Sequence, residues 1–379
     1  MNILITGGAG FIGSHTADIL VAKGHRVRIL DNLDPQVHPG DTVEERMPAW
    51  LNKQAEFVYG DIRSKEAVAS AVKDMDAVVH LASKVGVMQS HYQAADYIET
   101  NIYGTANILQ EAIVNRQDKI RKIVFASSCT TYGEAVYLCN GDRDCIPRTF
   151  KALIRTRKDV IDGWDVKCPE CGEKTGEVLP LKEETRQDCN SIYGITKKSC
   201  EEIIQNICAT YEVPFTIFRY FNVYGARQSV SNPYTGVTSI FVSCLQNNIP
   251  PIIYEDGRQS RDFVSVYDVA QANARATIEA FAGIYNIGSG VNTSISGIAS
   301  IIGEILGKQI LSNITGQFRS GDIRHSLADI SKAASAFGFV PLVDLRQGLI
   351  DLIKWSASQP AKMDLQKVEE ELKKNKLVG

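Results

Sequence analysis

Tyr193 and Lys197, four residues apart in YGITK, are the pair in this sequence best suited to moving a proton. In a helix, residues i and i+4 share one face. An ammonium beside a phenol favours the phenolate, so the spacing predicts a Tyr193 pKa below its ordinary value. A tyrosine tuned in this way takes a proton from a hydroxyl while hydride leaves the same carbon. Upstream, FASSCTTYG closes a short apolar run, and a hydroxyl there would hold the reacting oxygen beside Tyr193. Tyr-x-x-x-Lys also describes any surface pair on a helix, and a serine at a strand end is also a plain cap. The pair needs a hydride acceptor to have a role.

ILITGGAGFIGSH supplies one. Gly7, Gly10 and Gly13 lie between a strand-like run and a helical one. Glycines so placed permit a tight turn, close approach of backbone to a pyrophosphate, and close helix–strand packing. The helix N-terminus then offers amide donors and the positive end of its dipole. Asp31 ends the next apolar run, where an acid meets the adenosine ribose hydroxyls. No arginine follows it directly, which favours NAD over NADP. Asp61, in GDI, falls at a further strand end and is a candidate acceptor for the adenine amino group.

These residues need a scaffold that brings strand ends together. NILIT, RVRIL, AEFVYGD, AVVHLAS and KIVFASS are short β-rich runs separated by helical patterns. That rhythm predicts an α/β fold: a Rossmann-type doubly wound parallel sheet, with ligands at the carboxyl ends of its strands. Residues 1–218 are assigned to the NAD-binding domain, interrupted by an insert at 134–184. Residues 219–379, where alternation loosens, are assigned to a smaller substrate-binding lobe, parts of which return to the first domain. Leu365, Val368 and Leu372 recur at helical spacing near the end and predict a peripheral helix.

The chain has 379 residues, 44% hydrophobic and 22% charged, which is ample for a large core. A formal net charge of −3 argues against nucleic acid or an anionic membrane as partner. No apolar run approaches the ~18 residues of a membrane span. A first strand at Asn2 leaves no room for a signal peptide, so a cytoplasmic location is expected.

Nine cysteines in a reducing compartment are thiols or metal ligands rather than a disulfide framework. Four lie in the insert: Cys139, Cys145, Cys168 and Cys171. The Cys168–Cys171 pair, in CPECG, is a turn that aims two thiolates at one point, as in half of a structural zinc site. Four thiolates close a tetrahedron and leave no open position, so the zinc would be structural. An insert this polar has little core, and a metal would supply its folding free energy. Free thiols and a disulfide are the alternatives. Cys189, Cys200, Cys208 and Cys244 read as small core residues.

TGGAGFIG, SSCTTYG, YGITK, RYFNVYG and RDFVSVYDVA, in this order, resemble the extended short-chain dehydrogenase/reductase family, and within it the NAD-dependent nucleotide-sugar epimerases and dehydratases. LDNLDPQVHPG and the CPEC pair are most similar to its rhamnose- and galactose-nucleotide 4-epimerase subgroup. The resemblance implies that Ser128 is the catalytic hydroxyl, with Thr130 a second candidate, Tyr193 the base and Lys197 its orienter. It implies NAD contacts from Gly7, Gly10, Phe11, Ile12, Gly13, Asp31, Asn32, Asp61, Ile62, Leu81, Ala82, Asn101, Tyr193 and Lys197. Substrate contacts would come from Ser128, Tyr193, Asn222, Arg261 and Arg319, the arginines neutralising a diphosphate through their planar forks. A homodimer is implied as well. The family's 4,6-dehydratases carry an Asp–Glu pair directly after the catalytic hydroxyl, whereas this chain has Cys129 and Thr130. That departure favours 4-epimerisation over dehydration; decarboxylation of a sugar acid shares the oxidation step and stays open. In another class altogether, the chain would be a non-catalytic NAD-responsive binding protein.

Overall fold

Seven apolar runs pair side by side in the computed structural model, which describes residues 1–116, 120–141, 146–160, 163–175, 177–230, 232, 234, 236–359, 370, 373–375 and 377–378. They are β1 (Asn2–Thr6), β2 (Arg26–Asp31), β3 (Glu56–Tyr59), β4 (Ala77–His80), β5 (Lys122–Ser128), β6 (Phe215–Tyr220) and β7 (Gly283–Ile287). All pairings are parallel, in the order β7-β6-β5-β4-β1-β2-β3. Every residue of β4 and β5 is buried, as in a sheet covered on both faces.

Side chains alternate across that sheet. Ile3, Ile5, Val27 and Ile29 pack one way, against Ala17 and Leu20 of α1 (Phe11–Ala22) and Val269 of the helix Val266–Ile278. Leu4, Leu30, Val78 and Ile123 pack the other way, with Val68, Ile108, and Cys200 and Ile204 of α2 (Ile192–Thr210). The order of connections reverses between β1 and β4, the switch point at which such sheets bind ligands.

Beyond residue 218 the chain does two things. The Val266–Ile278 helix and β7 return to the sheet. The remainder builds a separate core from Phe241, Val242, Leu245, Ile298, Ile302, Leu349 and Leu352.

The insert leaves the sheet after β5. Strands Val136–Cys139, Arg148–Lys151 and Glu177–Leu179 form an antiparallel sheet, and Val166–Lys167 pairs with Lys174–Thr175 as a hairpin. Polarity suggested a segment with little core. The structure gives it a small one, Ala135, Tyr137, Ala152 and Val166, with Phe150 stacked on Tyr137 at 5.9 Å. Cys145, Leu365, Val368 and Leu372 lie outside the described residues. Among those described, no helix is long and apolar enough to cross a membrane.

Candidate active site

Strand ends β1, β2, β4 and β5 open into one cleft of about 800 Å³, which reaches into the second core's lobe. At its floor the glycine turn is fixed by sterics. Gly7 has φ +68°, and a Cβ there would lie 2.7 Å from the Ala82 nitrogen. A Cβ on Gly13 would lie 2.2 Å from the Gly7 carbonyl oxygen, so α1 sits against the turn as only glycine allows. The N-cap of α1 is Gly10, which offers no side-chain cap, and Gly10, Phe11, Ile12 and Gly13 all face the cleft. The first-turn amides of a 12-residue helix are thus left for an anion.

Asp31 is buried at the end of β2. Its carboxylate accepts from the Ala9 amide at 3.0 Å and the Leu33 amide at 2.9 Å. Burial pushes this carboxyl above the ordinary carboxylate range, and nearby His38 pulls the other way. Each oxygen keeps a lone pair for a hydroxyl donor. Together with the uncapped helix, this is a chemical fit for a dinucleotide with a free 2′-hydroxyl. Asn32, Asp61, Ile62, Leu81 and Ala82 also line the cleft. Asp61 is already held, by Asn32 at 3.0 Å and by the Arg63 fork at 3.0 and 2.9 Å. Burial alone would raise its carboxyl, but those donors keep it below the usual range.

Asn101 is placed differently from the expectation. It is buried behind the cleft wall. Its amide donates to the Lys84 carbonyl at 3.1 Å and the Thr196 hydroxyl at 3.0 Å, and its oxygen accepts from the Lys84 amide at 2.8 Å. It ties the loop after β4 to α2. Lys84, on that loop, faces the cleft and went unremarked in the sequence reading. Its position just past a strand end was the available signal.

Ser128, Thr130, Tyr193 and Lys197 converge where β5 meets α2. Ser191 caps α2, accepting from the Gly194 amide at 3.1 Å. Gly194 is required by proximity, since a Cβ there would lie 2.8 Å from the Thr130 carbonyl oxygen. The helix can therefore press against the Ser128 loop. Thr130 donates to the Ser128 hydroxyl through its own hydroxyl at 2.9 Å and its amide at 3.2 Å. Ser128 acts in turn on the Tyr193 phenol, whose pKa it pulls down. Lys197 Nζ donates to the Ala126 carbonyl at 2.8 Å and lies 5.9 Å from the centre of the Tyr193 ring.

Spacing predicted a depressed Tyr193 pKa. In the structure the opposite holds: burial pushes the phenol above its ordinary value, and only Ser128 pulls it down. Lys197 is itself buried, which lowers its ammonium to about 8. Cys129, next to Ser128, is a buried thiol pushed up to about 11, hence neutral and unfit as an acid–base partner near pH 7.

At the cleft's far end lie Asn222, Arg261 and Arg319. Arg319 forks onto Asp322 at 2.7 and 2.9 Å and sits over the Tyr254 ring at 4.8 Å. Arg261 donates to the carbonyls of Ser260 and Ile323, both at 2.8 Å, and of Arg324 at 3.2 Å. Among the described residues it has no ion pair. Burial pushes its guanidinium below the ordinary value. Asp322, Glu134 and Glu255 offset only part of that burial; a buried cation without a direct ion partner is costly, and an anionic ligand would relieve that cost.

In the insert, the Sγ atoms of Cys139, Cys168 and Cys171 all lie within 4.8 Å of one another. Cys139 and Cys171 are 3.7 Å apart. Main-chain amides of Cys171 and Glu170 point at the Cys168 thiol and pull it down to about 6.

The chain as a whole is similar to known proteins. The chain is 32% identical over 365 residues to dTDP-L-rhamnose 4-epimerase of Burkholderia thailandensis, covering 94% of this chain and 95% of that one. It superposes on UDP-glucose 4-epimerase of Thermotoga maritima, solved with UDP-glucose, with a TM-score of 0.74 at 30% identity, over 94% of this chain and 98% of that one. Against Thermus thermophilus UDP-glucose 4-epimerase, solved with NAD, the TM-score is 0.72 at 27% identity, over 94% and 99% of the two chains. Residues 3–149 and 169–288 match the family model described as the NAD dependent epimerase/dehydratase family. With a family match over most of its length and a relative 32% identical across 94% of it, this chain belongs to the NAD dependent epimerase/dehydratase family.

Proposed function

We propose that the protein interconverts C4 epimers of a nucleoside-diphosphate sugar with NAD as a resident cofactor. The observation that carries the reading is the convergence of Ser128, Thr130, Tyr193 and Lys197 at one cleft, with a neutral cysteine after Ser128 where a dehydratase would need a carboxylate. Gly7, Gly10, Phe11, Ile12, Gly13, Asp31, Asn32, Ile62, Leu81 and Ala82 hold the cofactor, and Asp61 and Asn101 shape the wall around it. Bound NAD supplies a hydride acceptor that returns the hydride within one turnover. Tyr193 takes the proton of the sugar 4-hydroxyl and gives it back to the same oxygen on the opposite face. Ser128, itself held by Thr130, orients that oxygen. Lys197 keeps a positive charge beside the phenol and fixes α2 to β5. Asn222, Arg261 and Arg319 anchor the diphosphate while the sugar turns over.

Three further assignments belong to this reading. Cys139, Cys168 and Cys171 hold a structural zinc, with Cys145 as the fourth ligand; their convergence supports it. The chain works as a homodimer, because Ile98, Tyr103 and Ile195 are exposed on neighbouring helical segments that Asn101 and Thr196 join. It works in the cytoplasm, a reducing compartment that would keep the converging thiols of the insert available as metal ligands. The test is incubation with a panel of UDP- and dTDP-hexoses, resolving epimers by chromatography, with Tyr193→Phe as control. Conversion by the native protein and a drop of about 10²–10⁴-fold in the variant are expected. Loss of water or of carbon dioxide would instead assign the dehydratase or decarboxylase reaction.

A further inference from the structure

Two carboxylates and two guanidiniums form a buried ring between the insert and the substrate lobe. Arg155, from the insert, donates to Glu134 at 2.7 Å and to Glu255 at 2.8 Å. Arg324 donates to the other oxygen of Glu255 at 2.8 Å and forks onto Asp256 at 2.6 and 2.9 Å. Glu134 closes the ring by accepting the Arg324 amide on both oxygens, at 3.1 and 2.9 Å. Arg155, Glu134, Glu255 and Arg324 are each at most 7% exposed. A buried ion cluster is a poor way to gain stability. Its retention calls for a role in fixing geometry.

What it fixes is the segment from Phe318 to Arg324. The Glu255 amide donates to the Gln317 carbonyl at 3.1 Å, and the Arg155 guanidinium lies 5.9 Å from the Phe318 ring centre. Arg319 sits on this segment, and the carbonyls of Ile323 and Arg324 are the acceptors that orient Arg261. The path of contacts runs from the insert through Arg155 and Glu255 to Arg261 and Arg319.

We propose that Arg155 is a positioning residue, by which the insert sets the two arginines that grip the diphosphate. The proposal rests on the assignment of Arg261 and Arg319 to that anion. Arg155→Met keeps length and apolar packing but cannot bridge Glu134 and Glu255. In the NAD-loaded protein it should weaken UDP and dTDP binding by about tenfold, the size of coupling carried by such networks. The KM for the nucleotide sugar should rise alike, with kcat and NAD affinity near native. A purely structural role would lower the folded fraction and leave KM unchanged. Arg155→Lys retains the charge and should recover part of the affinity; it serves also where Arg155→Met folds poorly. Arg261→Met is measured alongside. If it weakens UDP and dTDP binding while folded Arg155 variants bind natively, the coupling is wrong. If Arg261→Met also binds natively, the anion assignment fails and takes the proposal with it.

Discussion

The ammonium of Lys197 donates to the carbonyl of Ala126 at 2.8 Å, two residues before Ser128 on the same strand. One bond therefore locks the helix bearing Tyr193 to the strand bearing its partner hydroxyl. It places a buried cation 5.9 Å from the centre of the Tyr193 ring. The cost has a sign. Burial lowers the ammonium from 10.5 to about 8, so the charged form destabilises the cofactor-free fold fully below about pH 8, and the cost vanishes as pH rises past 10.5. Lys197→Met should then be at least as stable as the native protein at pH 7, less about 1 kcal/mol for the lost hydrogen bond. That advantage should disappear by about pH 11. Turnover should nonetheless fall by about 10²-fold or more. Thermal melts of cofactor-stripped protein across pH, with initial rates, check both halves.

On the proposed function Asp31 sets cofactor choice: its buried carboxylate would repel a 2′-phosphate and accept from a 2′-hydroxyl, so NAD should bind far more tightly than NADP. Asp31→Asn removes the repulsion and a charge-assisted hydrogen bond of about 1.5–3 kcal/mol. The gap between NAD and NADP should narrow by about 10–100-fold, read by fluorescence titration of both reduced cofactors. Equal affinities in the native protein would remove Asp31 from the ribose.

Gly194 controls approach rather than chemistry. A methyl group there meets the Thr130 carbonyl at 2.8 Å and the Ser191 hydroxyl at 3.3 Å. Gly194→Ala should push α2 away from Ser128 and cost about 10²-fold in kcat, as a 1 Å misplacement does. NAD affinity should hold, because the glycine turn at Gly7–Gly13 is remote in the chain and packs on α1. Steady-state kinetics with cofactor titration separates the two.

The cysteine cluster predicts one zinc per chain. Structural zinc survives purification, so elemental analysis without added metal should approach one equivalent. Cys171→Ser should lose it and disorder the insert, while the sheet stays folded because the insert packs outside it. A mapped Cys168–Cys171 disulfide, or zinc below about a tenth of an equivalent, would argue against the site.

Local signals carried the sequence reading where chemistry is local. Gly7, Gly10 and Gly13 answer to one turn, and Tyr193 and Lys197 to one helix face, so spacing alone located them. The apolar runs became the strands of the central sheet because a sheet buried on both faces leaves near-continuous apolar stretches. Three features were not legible. The ring of Glu134, Arg155, Glu255 and Arg324 joins residues up to 190 apart, with no period to reveal it. The direction of the Tyr193 shift depends on burial, which the Tyr–Lys spacing does not encode. Asn101 matches a cofactor-contact position, yet its amide is consumed by Lys84 and Thr196.

The central claim is that hydride leaves and returns to the same sugar carbon inside this cleft. Nucleotide sugar labelled with deuterium at C4 tests it most directly, with the product analysed by mass spectrometry and proton NMR. The account predicts an epimerised product of unchanged mass that keeps the deuterium at C4, formed without net reduction of NAD. Washout of the label into solvent, or a product lighter by water or carbon dioxide, would contradict it.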